Sequence, residues 1–383
     1  MAGWGLVKVA MLTDCYPPRL GGIESQVRDL SRQLVGAGHE VEVFTATAGP
    51  NGERGGSTST GDDGVTVHRL AIPLPGGIPV NPFAPREVRR ALAVGGFDVA
   101  HAHLGVVSPF ATDLVPVALA AGLPVTATFH CVIGRSAPVF RAVGHLARWA
   151  DRGVALNAVS RMAAARVSGA ARGAVVEVVP NGVDAAWWRP VTERAEAAPR
   201  HPVQVVSAMR LVSRKRPLAA LDVLRRARAI LDPAVPLRAT IVGEGPQRRG
   251  MERYLRTRGL DWVELPGRVG RDELRRLHQG ADLYLTAARL EAFGIAPLEA
   301  RAAGVPVVAL RGTGVDDFVE DGVDGLLAGD DDSLALALAR LAGDDALRAR
   351  LRAHLLATPP AQDWSGVLAA TRAEYERAGV RVA

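Results

Sequence analysis

Glu291 and Glu299 stand eight positions apart in the stretch Glu291-Ala292-Phe293-Gly294-Ile295-Ala296-Pro297-Leu298-Glu299. Between them a turn with an unencumbered backbone, Phe293-Gly294-Ile295, runs into a helix that Pro297 starts and that extends to residue 303. A helix N-terminus offers free N–H groups and the positive end of the helix dipole. One carboxylate precedes that end and the other lies on the helix. Carboxylates accept paired hydroxyl hydrogen bonds while the helix end faces an anion, so the layout suits a polyhydroxylated ligand that bears phosphate. Two acids on a surface helix would look the same in isolation, and the rest of the chain has to decide.

A second group is Met209-Arg210-Leu211-Val212-Ser213-Arg214-Lys215-Arg216-Pro217, which follows a strand. Arg210 offers a planar fork to phosphate oxygens and Lys215 a compact ammonium. Lys8 and Lys215 are the chain's two lysines among 46 basic residues. A sequence that uses Arg almost everywhere keeps a Lys here, between Arg214 and Arg216, both expected to face solvent. Gly21 and Gly22 open a helix directly after the first strand, where backbone can approach a phosphate closely. The Gly-x-Gly-x-x-Gly spacing of dinucleotide binders is lacking there. Gly243 lies in Ile241-Val242-Gly243-Glu244-Gly245-Pro246, another strand-to-helix turn, and Arg268 and Val269 end the strand after it. His130 ends the strand Thr128-Phe129-His130. His101 and His103, one residue apart on an extended segment, share a face. A metal pair is conceivable, but no third ligand accompanies them. Asp62-Asp63 and Asp330-Asp331-Asp332 read as solvated turns.

These groups need positioning elements. Buried strands are expected at 6–12, 41–45, 65–70, 99–102, 125–129, 153–159 and 174–179, with helices at 23–37, 85–94, 109–121 and 137–150. Residues 48–64 read as a mobile loop, and the Pro- and Ala-rich stretch 188–202 as a linker. The pattern restarts with strands at 203–207, 238–242, 262–265, 283–286 and 305–310, and helices at 217–231, 246–258, 271–279 and 297–303. The expected fold class is α/β: two doubly wound, Rossmann-like parallel-sheet domains with a cleft between them. The expected domains are residues 1–190, 191–361 and a C-terminal helical segment, 362–383.

At 383 residues the chain exceeds one ordinary core. A net charge of +6 fits a phosphate-bearing substrate or an anionic membrane surface, and the absence of an aromatic-interleaved basic tract argues against nucleic acid. Cys15 and Cys131 lie far apart without metal spacing and read as reduced thiols. There is no apolar run of roughly 18 residues and no leader layout, so a cytoplasmic protein is expected. Arg86, Arg89 and Arg90 on a short helix near Pro82-Phe83 read first as an ordinary basic helix, and as the alternative for peripheral contact with the inner face of a membrane.

The Glu-x7-Glu stretch resembles the signature of retaining, nucleotide-sugar-dependent glycosyltransferases of family 4. Arg-x4-Lys, the Gly pair and the strand-end His occur in the family's order and spacing. The resemblance implies a GT-B architecture, with residues 364–379 crossing back to the first domain. It implies no metal or other cofactor, the nucleotide sugar being a co-substrate. It assigns His130 to the neighbourhood of the transferred sugar, Arg210 and Lys215 to the leaving diphosphate, and Glu291 to sugar hydroxyls. Glu299 would hold the ribose. Gly21, Gly22, Gly243, Arg268, Val269, Phe293, Gly294 and Ile295 would line the donor. The implied reaction is sugar transfer from a UDP- or GDP-sugar to a hydroxyl, giving an α-glycoside by front-face displacement. The acceptor would be a small molecule or a lipid-linked one, since the first domain resembles enzymes of phosphatidylinositol glycosylation. Asn157-Ala158-Val159-Ser160 and Pro180-Asn181-Gly182-Val183-Asp184 also look like family landmarks, mainly architectural ones. A GT-B epimerase or phosphorylase is the alternative, although a phosphorylase's cofactor lysine could only be Lys215. A silent sugar-nucleotide binder is a further alternative, which the intact Arg210, Lys215, Glu291 and Glu299 oppose.

Overall fold

The computed structural model describes residues 5–19, 21–61, 63–72, 80–134, 137–190 and 202–381. It divides into two compact units, one running to Gly182 and resuming at Trp364, the other Val183–Asp363. In the first, chain order is β1 (Lys8–Thr13), α1 (Gly22–Gly36), β2 (Glu40–Thr45), β3 (Ser57–Thr60), β4 (Thr66–Arg69), α2 (Ala84–Val94), β5 (Val99–Leu104), α3 (Pro109–Ala120), β6 (Val125–Phe129), α4 (Ala137–Val143), α5 (His145–Asp151), β7 (Ala155–Ala158), α6 (Arg161–Ala170) and β8 (Glu177–Val178). The second holds α7 (Ala185–Trp188), β9 (Val203–Ala208), α8 (Pro217–Ile230), β10 (Leu237–Val242), α9 (Arg248–Arg258), β11 (Val263–Gly267), α10 (Arg271–Gly280), β12 (Leu283–Leu285), α11 (Ile295–Ala302), β13 (Val307–Leu310), β14 (Gly325–Ala328), α12 (Asp331–Gly343) and α13 (Asp345–Ala357). Helix α14 (Trp364–Arg377) belongs to the first unit and packs on α1, β6 and β7.

The first sheet runs β3-β4-β2-β1-β5-β6-β7-β8, parallel except for β3; the second runs β11-β10-β9-β12-β13-β14, parallel throughout. Central strands such as β5 and β6 are buried along their whole length, as a sheet covered on both faces requires. Both orders reverse beside the first strand, between β1 and β5 and between β9 and β12. A doubly wound sheet opens its ligand crevice at that switch point, beyond the carboxyl ends of the strands.

Asp14 ties one switch point together. Its carboxylate, just past β1, accepts N–H bonds from Phe110 (3.0 Å) and Ala111 (3.2 Å) in the first turn of α3. Burial outweighs those bonds and pushes the carboxyl from 3.8 up to about 6. The native state therefore keeps a proton that the unfolded chain releases, and stability falls as pH rises through roughly 4 to 6. Asp14→Asn removes the titration and should flatten that slope, by about 3 kcal/mol across the window, while keeping one of the two acceptor oxygens and so lowering stability at every pH. Chemical denaturation at several pH values checks it.

The chain leaves and re-enters the first unit at one place. The Gln26 amide bonds the Gly182 carbonyl (3.0 Å) and N–H (2.8 Å), and a Cβ on Gly182 would lie 2.5 Å from the Trp364 ring. Immediately beyond, Val183 pairs with Asp363 in an isolated parallel bridge.

Several expectations need correction. The stretch 48–64 contains β3, an edge strand held by cross-strand Thr58–His68 and Thr60–Thr66 bonds of 3.0 Å each. The helix expected over 137–150 is two, split where Gly144 turns left-handed (φ 67°). Asp63 is ion-paired with Arg32 at 2.6 Å; Asp62 lies outside the described residues. Asp330 is a helix cap, its carboxylate accepting the Ser333 N–H in a capping box that starts α12. Of the linker, 191–201 lie outside the described residues, while Trp188 is fully buried because it packs against His278.

Candidate functional site

In the second unit the segments leaving β9 and β12 converge on the switch point. Lys215 ends a short 3-10 turn after β9, and its ammonium is ion-paired with the Glu291 carboxylate after β12. The two side chains are 19% and 14% exposed, so the pair sits in the sheet edge with an opening to solvent. Arg216 is left-handed (φ 56°), a conformation that costs a non-glycine roughly 1–2 kcal/mol. Its guanidinium donates to the Ala287 carbonyl (2.9 Å) and, in a fork, to Asp331 (2.9 and 2.6 Å). Asp331 also takes Arg289 at 3.2 Å. Arg216 and Asp331 thus correct the reading of a solvent-facing Arg and a solvated acid. They pin the Lys215 turn, the 287–291 loop and α12 together, because the fork matches a carboxylate and the loop offers a spare carbonyl. Arg214 is exposed, as expected.

Tyr284 is the residue that sequence reasoning missed. From β12 its hydroxyl donates to the Ala208 carbonyl (3.1 Å) and accepts from the Ala208 N–H (3.2 Å), fastening the strand end that launches Arg210. Burial pushes its phenol well above the ordinary value, and the charges of Glu299 and Glu291 add to the shift. A lone Tyr in an apolar strand carries no sequence signal for this. Glu299 is half-buried on α11, whose first residue follows left-handed Gly294 (φ 101°). The Phe293 side chain is 1% exposed and packs on Phe318, so it belongs to the core, and only its main chain is placed to line a site. Ile295 is half-buried.

Gly243 has a structural reason to be glycine. At φ 138° its Cβ would sit 1.8 Å from the Met209 carbonyl, so it lets the β10 turn lie against the segment bearing Arg210. The Leu211 N–H to Glu244 carbonyl bond (2.8 Å) closes that contact. Arg210 is exposed just past β9; Arg268 is exposed and Val269 half-buried past β11, on the same edge of the sheet.

In the first unit, Gly21 is extended and precedes α1, and Gly22 is exposed. A carboxylate in the first turn of α1 lies against Gly21, the glycine expected to border phosphate. Glu24 folds back so that a Cβ on Gly21 would meet its oxygen at 2.3 Å, and Arg19 pairs with it at 3.4 Å. An acid in the first helical turn is drawn to the dipole as a phosphate would be. His130 lies past β6, its Nδ1 3.2 Å from Asn181 Oδ1 and its Nε2 2.9 Å from His103 Nδ1. Both ring nitrogens are engaged, and burial lowers its pKa to about 4, so the ring is neutral. A small pocket beside it is lined by Gln26, His103, Asn181, Trp364 and Val367. His101 and His103 stack at 4.0 Å and are buried. Among the described residues no cluster of three or more His, Cys, Asp or Glu is placed to hold a metal ion. Nor, among them, is any helix long and apolar enough to cross a membrane.

Comparison with known proteins follows the same division. The model described as Glycosyltransferase Family 4 matches residues 20–187, and that described as Glycosyl transferases group 1 matches residues 189–354. A phosphatidyl-myo-inositol mannosyltransferase of Mycolicibacterium smegmatis is 32% identical, over 94% of this chain and 92% of that protein. A D-inositol 3-phosphate glycosyltransferase of Nocardioides sp. is 31% identical, over 94% and 86%. Among solved structures, sucrose-phosphate synthase from Thermosynechococcus elongatus superposes with a TM-score of 0.75 at 20% identity, covering 97% of this chain and 98% of that one. Anabaena HepE in complex with UDP-glucose gives 0.71 at 19% identity, over 97% and 98%. At such identities the likeness is one of fold, the GT-B fold.

Proposed function

Since this chain belongs to glycosyltransferase family 4, we propose that it moves a sugar from a nucleoside-diphosphate donor to a hydroxyl acceptor with retention, giving an α-glycoside. The observation that carries the reading is the Lys215–Glu291 pair spanning the switch point of the second sheet. Departure of a nucleoside diphosphate leaves negative charge on oxygen and positive charge on the anomeric carbon. Lys215 and Arg210 offset the first, and each such contact supplies roughly 2–4 kcal/mol of barrier lowering. Glu291, held by Lys215 until the donor arrives, turns to the sugar hydroxyls and leaves the ammonium to the phosphate. Glu299 takes the ribose hydroxyls. His130 borders the transferred sugar, with the orientation of its ring held by Asn181 and His103. The leaving phosphate oxygen accepts the acceptor's proton in a front-face displacement, in which charge neutralisation is assigned to Arg210 and Lys215 rather than to a metal ion.

The two mycobacterial and nocardioid relatives named above act on phosphatidyl-myo-inositol and on an inositol phosphate, and a cyclitol hydroxyl is the acceptor class proposed here. Helix α2 favours a lipid-linked form: Phe83 before it is 66% exposed, and Arg86, Arg89 and Arg90 on it are exposed too. The test is a melting-shift screen with UDP-, GDP- and ADP-sugars. The donor so found is then incubated with inositol phosphate or with phosphatidylinositol vesicles. An α-linked product by NMR is expected. Isomerised or merely hydrolysed donor, or binding without turnover on any acceptor, would replace this reading with one of the alternatives.

A further inference from the structure

Beneath His130 the first unit holds a buried polar chain that the transfer reaction above does not use. Its proton directions follow from one end. Arg377 donates twice to the Glu374 carboxylate (2.9 and 2.6 Å), which can only accept. The Asn157 atom 3.0 Å from Glu374 is therefore its NH2, which also donates to Thr126 (2.8 Å), and its oxygen faces Thr128. Thr128 spends its proton on that oxygen (2.6 Å) and so must accept from His101 Nε2 at 2.7 Å. His101 is then the Nε2–H tautomer, and its bare Nδ1 accepts the Tyr375 hydroxyl at 3.1 Å. Tyr375, Asn157, His101, Thr128 and Glu374 are all buried, the first two completely. Tyr375, Glu374 and Arg377 come from α14, at the far end of the sequence.

The chain reaches His130 through stacking. The His101 ring lies 4.0 Å from that of His103 at 28°, and T-shaped against Tyr375. His103 contacts Met11 sulfur (3.3 Å) through Nε2 and holds His130 through Nδ1. His130 Nδ1–H donates to Asn181, so its Nε2 must accept from His103 Nδ1–H. We propose that Tyr375 on α14 is a positioning residue, which fixes the His101 ring and, through stacked His103, the orientation of His130. The proposal rests on the reading of His130 as bordering the transferred sugar. Burial keeps these rings neutral, His101 down to about 3 and His103 well below its ordinary range, so the pattern does not switch near neutrality.

The test is two-armed and uses the full chain. Imidazole 15N spectra of the wild type should show Nε2–H at His101 and Nδ1–H at both His103 and His130. Tyr375→Phe keeps the ring volume and should shift the His103 and His130 signals. It should also lower kcat about tenfold, roughly the loss of one buried hydrogen bond's positioning, with donor KM unchanged. A filler role would lower Tm alone. Unmoved His130 signals, or unchanged kcat in a variant whose His130 signals have moved, overturns the proposal. Should Tyr375→Phe not fold, Thr128→Val breaks the chain at its other side and should move His101 to Nδ1–H. Failure of the underlying reading looks different: His130→Ala would then turn over like wild type, while the spectra still report the network.

Discussion

Lys215→Ala lowers kcat by roughly 100-fold or more, the scale of losing one preorganised donor to a developing anion. The fold survives at a cost in stability, because the Glu291 carboxylate loses its partner but keeps an opening to solvent. The Lys215 side chain is 19% exposed and its loop is pinned independently by Arg216 to Ala287 and Asp331. Lys215→Arg should not restore the rate. A guanidinium is longer and planar, and the turn that delivers the ammonium is fixed by a left-handed residue immediately after it. Arg210→Ala should behave alike. Steady-state kinetics beside a melting curve decide the matter; near-wild-type turnover in both variants would remove the phosphate role from the cationic loop.

Glu291→Gln is expected to separate sugar from nucleotide. A hydrogen bond to a charged group is worth about 1.5–3 kcal/mol, so kcat/KM for the intact donor should fall on the order of 10- to 150-fold. Affinity for the nucleoside diphosphate without sugar should hold or rise, since the variant releases the Lys215 ammonium that the carboxylate otherwise engages. Calorimetric titration of the two ligands gives the comparison. Equal losses for both would mean that Glu291 serves the phosphates or the fold. Because the two side chains touch, Lys215→Ala and Glu291→Ala together should depart from additivity by about 0.5–3 kcal/mol.

The parallel sheets were legible in the sequence because fully buried strands print themselves as apolar runs, as the Val-Val-Ala-Leu of β13 does. That the basic loop and the acidic turn serve one ligand came only from the family resemblance, and their direct ion pair became visible only in the fold, where β9 and β12 are neighbours. What escaped were contacts specified by geometry rather than by pattern. Arg216 meets Asp331 from 115 positions away, and Tyr284 meets Ala208 from 76. Glu24 was read past because its position against Gly21 and its pairing with Arg19 are set by how the first turn of α1 folds back, which the glycine pair alone does not announce. The edge strand β3 was hidden by its Ser and Thr content, which composition assigns to loops although cross-strand hydroxyl bonds suit it to a sheet margin. Phe293 was grouped with its glycine neighbour by position alone, and its ring turned out to serve the interior.

The junction at Gly182 and Trp364 bears on how such a chain can be rebuilt. The polypeptide departs under the grip of Gln26 and returns beside the same glycine, with Val183 and Asp363 paired just outside. The body bearing Lys215, Glu291 and Glu299 is therefore a cassette inserted between the first sheet and the helix that packs on it. Exchange between related genes, cut at those two adjacent residues, would transplant one specificity whole and leave the other's threading intact.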